Sequence, residues 1–532
     1  MTTTRRPLVL ASLLLAAFAI NLDTTIVNVS LPSLVRELHA SDNQLQWIVD
    51  AYNLVFAAFI LAAGSLSDKV GRKGTLLTGL AVFGTASLLG AFAVSSGQLI
   101  AARAVMGLGA ALVFPATLSL VSNVFTERIE RARAIGLWGA TAGIAIALGP
   151  IIGGWLLERF SWASIFFAMV PVALVPVALV ACCVPTSRDP QTAPLDRPGF
   201  GLSTAAMSLL VFTIIEAPGY GWASARSVAG FAIAAAMLVA FVYRERSTAA
   251  PMLDLSIFGN ARFSAASVSV TISFFTLLGF IFLMTQYFQF IKHYSALSTG
   301  VHLLPVAASV GISSVIGTRL AVRTGTKLVV GGGLIMISGF YAWVATTISP
   351  GFPYSTIAIQ MVLYGTGMGL TSAPATEAIM GAIPLRKAGA GSAINDATRL
   401  LGGTLGVAVI GSVFASAYTT RLAHTLPPHL PSALAAGARS SVGQALGIAQ
   451  QLASSGQVRL AGAVHAGSIH SFDHGLSLGC TVAAVVAAAG AALALVLLPS
   501  QPLPALAEVE LPERAVAEPV AAGGTVVAVS PR

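Results

Sequence analysis

Charge is what this chain has least of. Asp, Glu, Lys and Arg make up 9% of its 532 residues, where a soluble domain carries about 25%. With 56% of residues hydrophobic and a mean hydropathy of +0.84, a water-soluble globule of this length does not fit. Cysteine is nearly missing as well: Cys182 and Cys183 adjoin each other and Cys480 stands alone, so neither a disulfide framework nor a zinc site of familiar spacing can be built. No G-x-x-x-x-G-K-[ST] loop occurs, and no soluble stretch is long enough for a nucleotide-binding domain, which argues against a primary pump. The eight His lie mainly in connecting segments without an H-E-x-x-H pair, so a catalytic set is also missing. The chain reads as a non-enzyme with no cofactor and no metal.

Long apolar runs fill the sequence instead. Fourteen of them are separated by charged or Gly/Pro-rich breaks, each near the ~20 residues a membrane helix needs. None shows the ten-residue alternation of a barrel strand. The expected fold is therefore an all-α polytopic bundle whose helices satisfy their own backbone groups in lipid. Arg5 and Arg6 precede an apolar run reaching Val29, too long for a signal-peptide core, so this is read as a retained first helix. With the N-terminus inside, twenty of the 29 Lys and Arg fall in inside loops and seven outside, which places both termini in the cytoplasm. The net charge of +9 is scattered over these loops, so it reports topology and not a nucleic-acid partner.

The most charged short stretch, Gly64 to Gly74, lies between the second and third runs. Gly71 and Gly74 are expected to supply the unusual backbone angles of a tight turn, and Lys69, Arg72 and Lys73 to hold it in the cytoplasm. Asp68 is a lone carboxylate among cations, suited to bond the positive end of a helix or an Arg. A second copy follows: Leu320, Arg323, Gly325 and Lys327 repeat Leu66, Lys69, Gly71 and Lys73 at a constant offset. Two related halves joined by an inserted pair of helices account for the repeat, and a binding site is expected between them near the bilayer midplane.

Inside the runs, five ionisable residues stand out, because a charge there costs at least a few kcal/mol unless it meets a partner or a cavity. Asp23 lies in the first run and Arg103 in the fourth. Two readings stand for them: a proton-carrying pair, or a permanent ion pair. Asp396 precedes Arg399 by three residues, an ion-pair spacing on a helix, and is read either as recognising a cationic substrate or as a second proton site beside Asp23. Asp50, one turn into the second run beside Tyr52, is either a site residue or solvated from outside.

The pattern Gly64, Leu66, Asp68, Gly71, Arg72, Lys73 resembles the loop between helices 2 and 3 of the major facilitator superfamily, in which it is a cytoplasmic latch stabilising the outward-facing state. The ridge Gly139, Gly143, Gly149, Pro150, Gly153, Gly154 resembles the fifth-helix signature of that superfamily's drug exporters. Together with Asp23, Arg103 and the Trp47–Tyr52 stretch, it is similar to the fourteen-helix drug:proton antiporters, including quaternary-ammonium exporters. The resemblance implies a six-helix half at 1–184, a linker with two inserted helices at 185–250, and a six-helix half at 251–499 that includes an outside loop at 420–475. Residues 500–532 are expected to form a disordered cytoplasmic tail. It further implies export of lipophilic, often cationic compounds in exchange for protons, across a bacterial inner membrane, by a monomer. The runner-up is an exporter dedicated to one endogenous metabolite or natural product. Leu400 stands where close relatives among dication exporters carry a second acid, and Ala163 departs from the family's usual Trp-Arg pair after Trp162.

Overall fold

The structure is a computed structural model that describes residues 6–499 except 126, 188–195, 249–254, 348, 350 and 383–387. Among the described residues all regular structure is helical. The first seven α-helices are α1 (Arg6–Ile26), α2 (Leu31–Leu38), α3 (Asp42–Val70), α4 (Arg72–Ala91), α5 (Ser96–Val124), α6 (Arg128–Arg159) and α7 (Ala163–Cys183). Two follow in the middle of the chain, α8 (Arg197–Tyr220) and α9 (Ala225–Ser247). The rest are α10 (Ala261–Gln286), α11 (Ala296–His302), α12 (Leu304–Thr324), α13 (Thr326–Thr347), α14 (Tyr354–Gly381), α15 (Ala388–Thr425), α16 (Ser432–Ser440), α17 (Val442–Ser454) and α18 (Val458–Leu497). Each of the fourteen apolar runs became a long helix. Among the described residues, eleven helical stretches are long and apolar enough to cross a bilayer. The other long helices, α3, α6 and α14, run 29, 32 and 28 residues.

The charged stretch after Gly64 is tighter than its sequence suggests. Helix α3 continues through Val70 and α4 begins at Arg72, so the turn is one residue, Gly71, at φ 134°. A side chain there would be strained. Gly74, expected to share this role, lies instead inside α4. In the second copy Gly325, at φ 89°, separates α12 from α13 in the same way. Gly71 N–H donates to Ser67 O and Gly325 N–H to Ala321 O, each at 3.0 Å.

The repeat extends to packing. In the N-terminal group α3 and α4 pack on α5, α1 on α6, and α4 on α7. In the C-terminal group α12 and α13 pack on α14, α10 on α15, and α13 on α18. Helices α8 and α9 pack on each other, and α8 docks against α3 and α15. Arg244 of α9 clamps this pair by donating to Asp196, just before α8, at 3.1 and 3.3 Å. Those hydrogen bonds hold the Asp196 carboxyl below the usual carboxylate range.

The segment 420–475 is more ordered than a loop. Helix α15 extends to Thr425 and α18 starts at Val458, and between them α16 and α17 form a short helical hairpin. At 40 residues, α18 is about 60 Å long, twice a bilayer's hydrocarbon thickness. It therefore projects from one end of the bundle, hereafter the hairpin end. Gly71 and Gly325 lie at the opposite, short-loop end.

Candidate functional site

Asp23, Arg103 and Tyr52 come together from three helices. Arg103 Nη1 of α5 donates to Asp23 Oδ2 of α1, and Arg103 Nε donates to Ile48 O of α3 at 3.0 Å. The guanidinium carbon lies 4.3 Å from the centre of the Tyr52 ring, within cation–π range. Tyr52 Oη in turn donates to Ile20 O at 3.0 Å. All three side chains are fully buried, yet Asp23 Oδ1 and Arg103 Nη2 have no hydrogen-bond partner. A buried pair with one unmatched atom on each side is less stable than a fully satisfied one. Asp23 lies seventeen residues into α1, about 26 Å along its axis, in the half of the bundle nearer the hairpin end.

Asp50 is not solvated from outside. It lies in the third turn of α3, fully buried, and both of its carboxylate oxygens lack partners. Gln46 one turn before it and Asn53 about one turn after it are equally buried, with Gln46 Nε2 and Asn53 Oδ1 unpartnered. Spacing of four and then three puts the three residues on one face of α3. Sequence reasoning missed this stripe because it looked for charges, and two of the three are amides. An i, i+4, i+7 run of polar residues inside an apolar helix was the available signal. An aromatic row starts nearby: Tyr52, Phe56, Phe114 and Trp138 follow one another at centroid separations of 5.9, 5.7 and 4.7 Å.

Asp396 and Arg399 do not join this cluster. They lie in the first third of α15, toward the short-loop end, with Asp396 Oδ1 3.9 Å from Arg399 Nη1. Arg399 Nη2 also donates to Thr376 Oγ1 at 3.0 Å, and its guanidinium covers the Phe274 ring at 5.3 Å. Asp396 thus sits at a different depth and on a different helix group from Asp23. The C-terminal aromatics Phe280, Phe340, Tyr341 and Tyr364 pack on one another in the core, Tyr341 Oη donating to Thr276 O at 2.6 Å.

The glycine ridge of α6 joins the two groups. A Cβ at Gly149 would lie 2.1 Å from Thr25 Oγ1, and one at Gly154 would lie 2.5 Å from Leu297 Cα of α11. Opposite, a Cβ at Gly300 of α11 would lie 2.4 Å from Pro150 O. Backbones meet here with no room for a side chain. Gly153 packs on Ile26 in the same manner, Gly143 faces open space, and the surroundings of Gly139 lie outside the described residues. The helix runs through Pro150 without a break.

Among the described residues, the hydrogen bonds between the two groups lie toward the hairpin end. Gln289 Nε2 donates to Val29 O at 2.9 Å, Ser412 Oγ to Gln46 Oε1 at 3.1 Å, and Gln444 Nε2 to His39 O at 2.8 Å. Ser295 Oγ donates to Glu158. At the short-loop end, Lys73 Nζ donates to Ala181 O at 2.8 Å within the N-terminal group, and Arg72 N–H donates to Ser187 O at 2.9 Å in the segment that follows α7. Gly64 packs on Pro115. The Asp68 side chain and the residues before α15 that it was expected to approach lie outside the described residues.

Comparison with known proteins follows the same lines. The chain is 32% identical over 492 residues to the multidrug efflux pump LfrA of Mycolicibacterium smegmatis, covering 92% of this chain and 96% of that protein. It is 34% identical over 469 residues to the methyl viologen resistance protein SmvA of Salmonella typhimurium, covering 87% and 93%. Among solved structures, a bacterial homologue of the human lysosomal transporter Spinster superposes with a TM-score of 0.63 at 16% identity, over 93% of this chain and 98% of that one. The profile described as Major Facilitator Superfamily matches residues 13–407.

Proposed function

Because the chain belongs to the Major Facilitator Superfamily, we propose that it is a secondary multidrug efflux transporter, exporting lipophilic and often cationic compounds in exchange for protons. The observation that carries this reading is the buried Asp23–Arg103 pair with its unmatched atoms, set beside the unpaired Asp50 stripe. A buried carboxylate with a removable cationic partner can bind a proton in one conformation and lose it in another, because desolvation favours the neutral form and the guanidinium the charged one. The names of relatives that resist or expel drugs support the substrate class.

In this reading the short-loop end faces the cytoplasm and the hairpin end the outside, as the Lys and Arg bias implies. Residues 1–184 and 251–499 rock as two bodies about the α6–α11 contact, and residues 185–250 ride with them. The hydrogen bonds between bodies hold the outside face together, and a state of this kind takes up substrate from the cytoplasm. A cationic substrate enters from there, aided by Asp396, and reaches Asp50 and the aromatic row Tyr52–Trp138. Opening outward rearranges Asp23 against Arg103, and the proton taken up by Asp23 from outside displaces the substrate. Protons are released inside when the pair re-forms.

Cells expressing the protein should therefore expel ethidium while energised and stop when a protonophore is added. Efflux that survives the protonophore but stops on ATP depletion would overturn the coupling.

The loop at Gly71 has its role in the opposite state. With the short-loop end closed, Asp68 lies at the cytoplasmic end of α3 and meets the positive N-terminal end of α15. Asp68→Asn is expected to leave expression and substrate binding intact and to slow turnover. A helix-end contact of this kind is worth about 0.3–1 kcal/mol, so the slowing should be between two- and about fivefold. Unchanged turnover would reduce the loop to a topology signal.

A further inference from the structure

A crevice separate from the Asp23 site opens near the hairpin end, between α15, α18 and the turn joining α8 to α9, with a volume of about 410 Å³. Its lining changes character with depth. At its outer rim are Arg421 and His424 of α15 and His474 of α18; at its floor are Val413 and Ala417 of α15 and Leu478 of α18. Positions 413, 417, 421 and 424 lie on one face of α15. From Val413 to His424 is about 16 Å along the helix, close to the ~15 Å of one leaflet's hydrocarbon.

Two further observations place this crevice at a lipid surface. Leu478 and Val485 continue the His474 face of α18 and are 39% and 63% exposed, an apolar stripe that only lipid covers in a spanning helix. Trp222, at the crevice wall, is 40% exposed, and Arg226 lies over the Tyr220 ring at 5.5 Å in the same turn. Exposed aromatics at a helix end mark the headgroup level of a bilayer.

We propose that this crevice binds an anionic phospholipid of the outer leaflet, its phosphate held at the rim and the start of one acyl chain laid on the floor. Arg421 supplies a fork of N–H donors matched to phosphate oxygens. Each imidazole adds an N–H donor even when neutral. Arg421 is one of the seven outside cations, against the bias that keeps such residues in the cytoplasm, and an anionic ligand accounts for its position. A lipophilic cation is disfavoured by the same group, so this is not the drug site.

The test is native mass spectrometry of the intact protein released from nanodiscs of equal phosphatidylcholine and phosphatidylglycerol. Wild type should retain phosphatidylglycerol in preference. Arg421→Gln should cut that preference about fivefold, the factor equivalent to the ~1 kcal/mol of one Arg at a membrane surface. Val413→Trp, which fills the floor and leaves the charge, should lower retention of both lipids. Unchanged preference in Arg421→Gln, or preference for phosphatidylcholine in wild type, would overturn the proposal. So would displacement of the lipid by millimolar glycerol 3-phosphate, which would make the crevice a site for a soluble anion.

Discussion

Asp23→Asn is expected to reduce uphill ethidium efflux to that of cells lacking the protein, while ethidium still equilibrates downhill. Asn has nearly the volume of Asp, and its carbonyl can still accept from Arg103 Nη1, so the contact of α1 with α5 survives in outline. What is lost is the proton and the countercharge. Arg103 is fully buried, and leaving a buried ion without its partner costs about 3–5 kcal/mol. The variant should therefore also be less stable, and its yield in the membrane must be measured beside its transport. Asp23→Glu separates the two effects, since it restores charge and proton at the expense of geometry, and partial uphill efflux should return. Full uphill activity in a properly inserted Asp23→Asn protein would move the proton to Asp50 or Asp396.

The second large effect belongs to the α6–α11 contact. In Gly300→Val, the Cβ alone would approach Pro150 O to 2.4 Å and its carbon to 2.6 Å, and backbone cannot yield as a side-chain tip can. Overpacking of this kind costs about 1–3 kcal/mol or more, and 3 kcal/mol shifts a two-state equilibrium more than 100-fold. The cost falls only on the state in which the hairpin end is closed, so the protein should fold, insert and stall open to the outside. Spin labels at Arg159 and His293, both exposed beside the contact, should report a longer distance in the variant than in wild type. Efflux should fall by at least about tenfold. An unchanged distance distribution together with wild-type efflux would remove α6 and α11 from the gate.

Much of this is legible in the sequence. Helix boundaries followed from hydropathy because a bilayer demands long apolar helices, and the repeat was readable because a one-residue turn at Gly71 and Gly325 tolerates few residue types. Asp23 and Arg103 stood out because an ion in an apolar run is costly. Their direct contact, though, bridges eighty residues and no local spacing encodes it. Gln46 and Asn53 went unread because amides are cheap enough in a helix to look ordinary, and only their shared face with Asp50 gives them meaning. Of the two readings of Asp50, the solvated one falls for a related reason: distance from a helix start says nothing about the neighbour that covers it. Gly74 was misassigned because glycine inside a helix and glycine at a turn look alike in sequence. The segment 420–475 looked like a loop since its Ala, Gly and Ser are too polar for lipid, whereas helices that project into water need no apolar surface on every side.

The central claim is that Asp23 exchanges its proton for substrate. The most direct measurement is made on purified protein in detergent, lightly buffered, with a pH indicator, on adding ethidium. Wild type should release protons in proportion to substrate bound, and Asp23→Asn should bind ethidium without releasing any. Equal proton release from the two proteins would contradict the account.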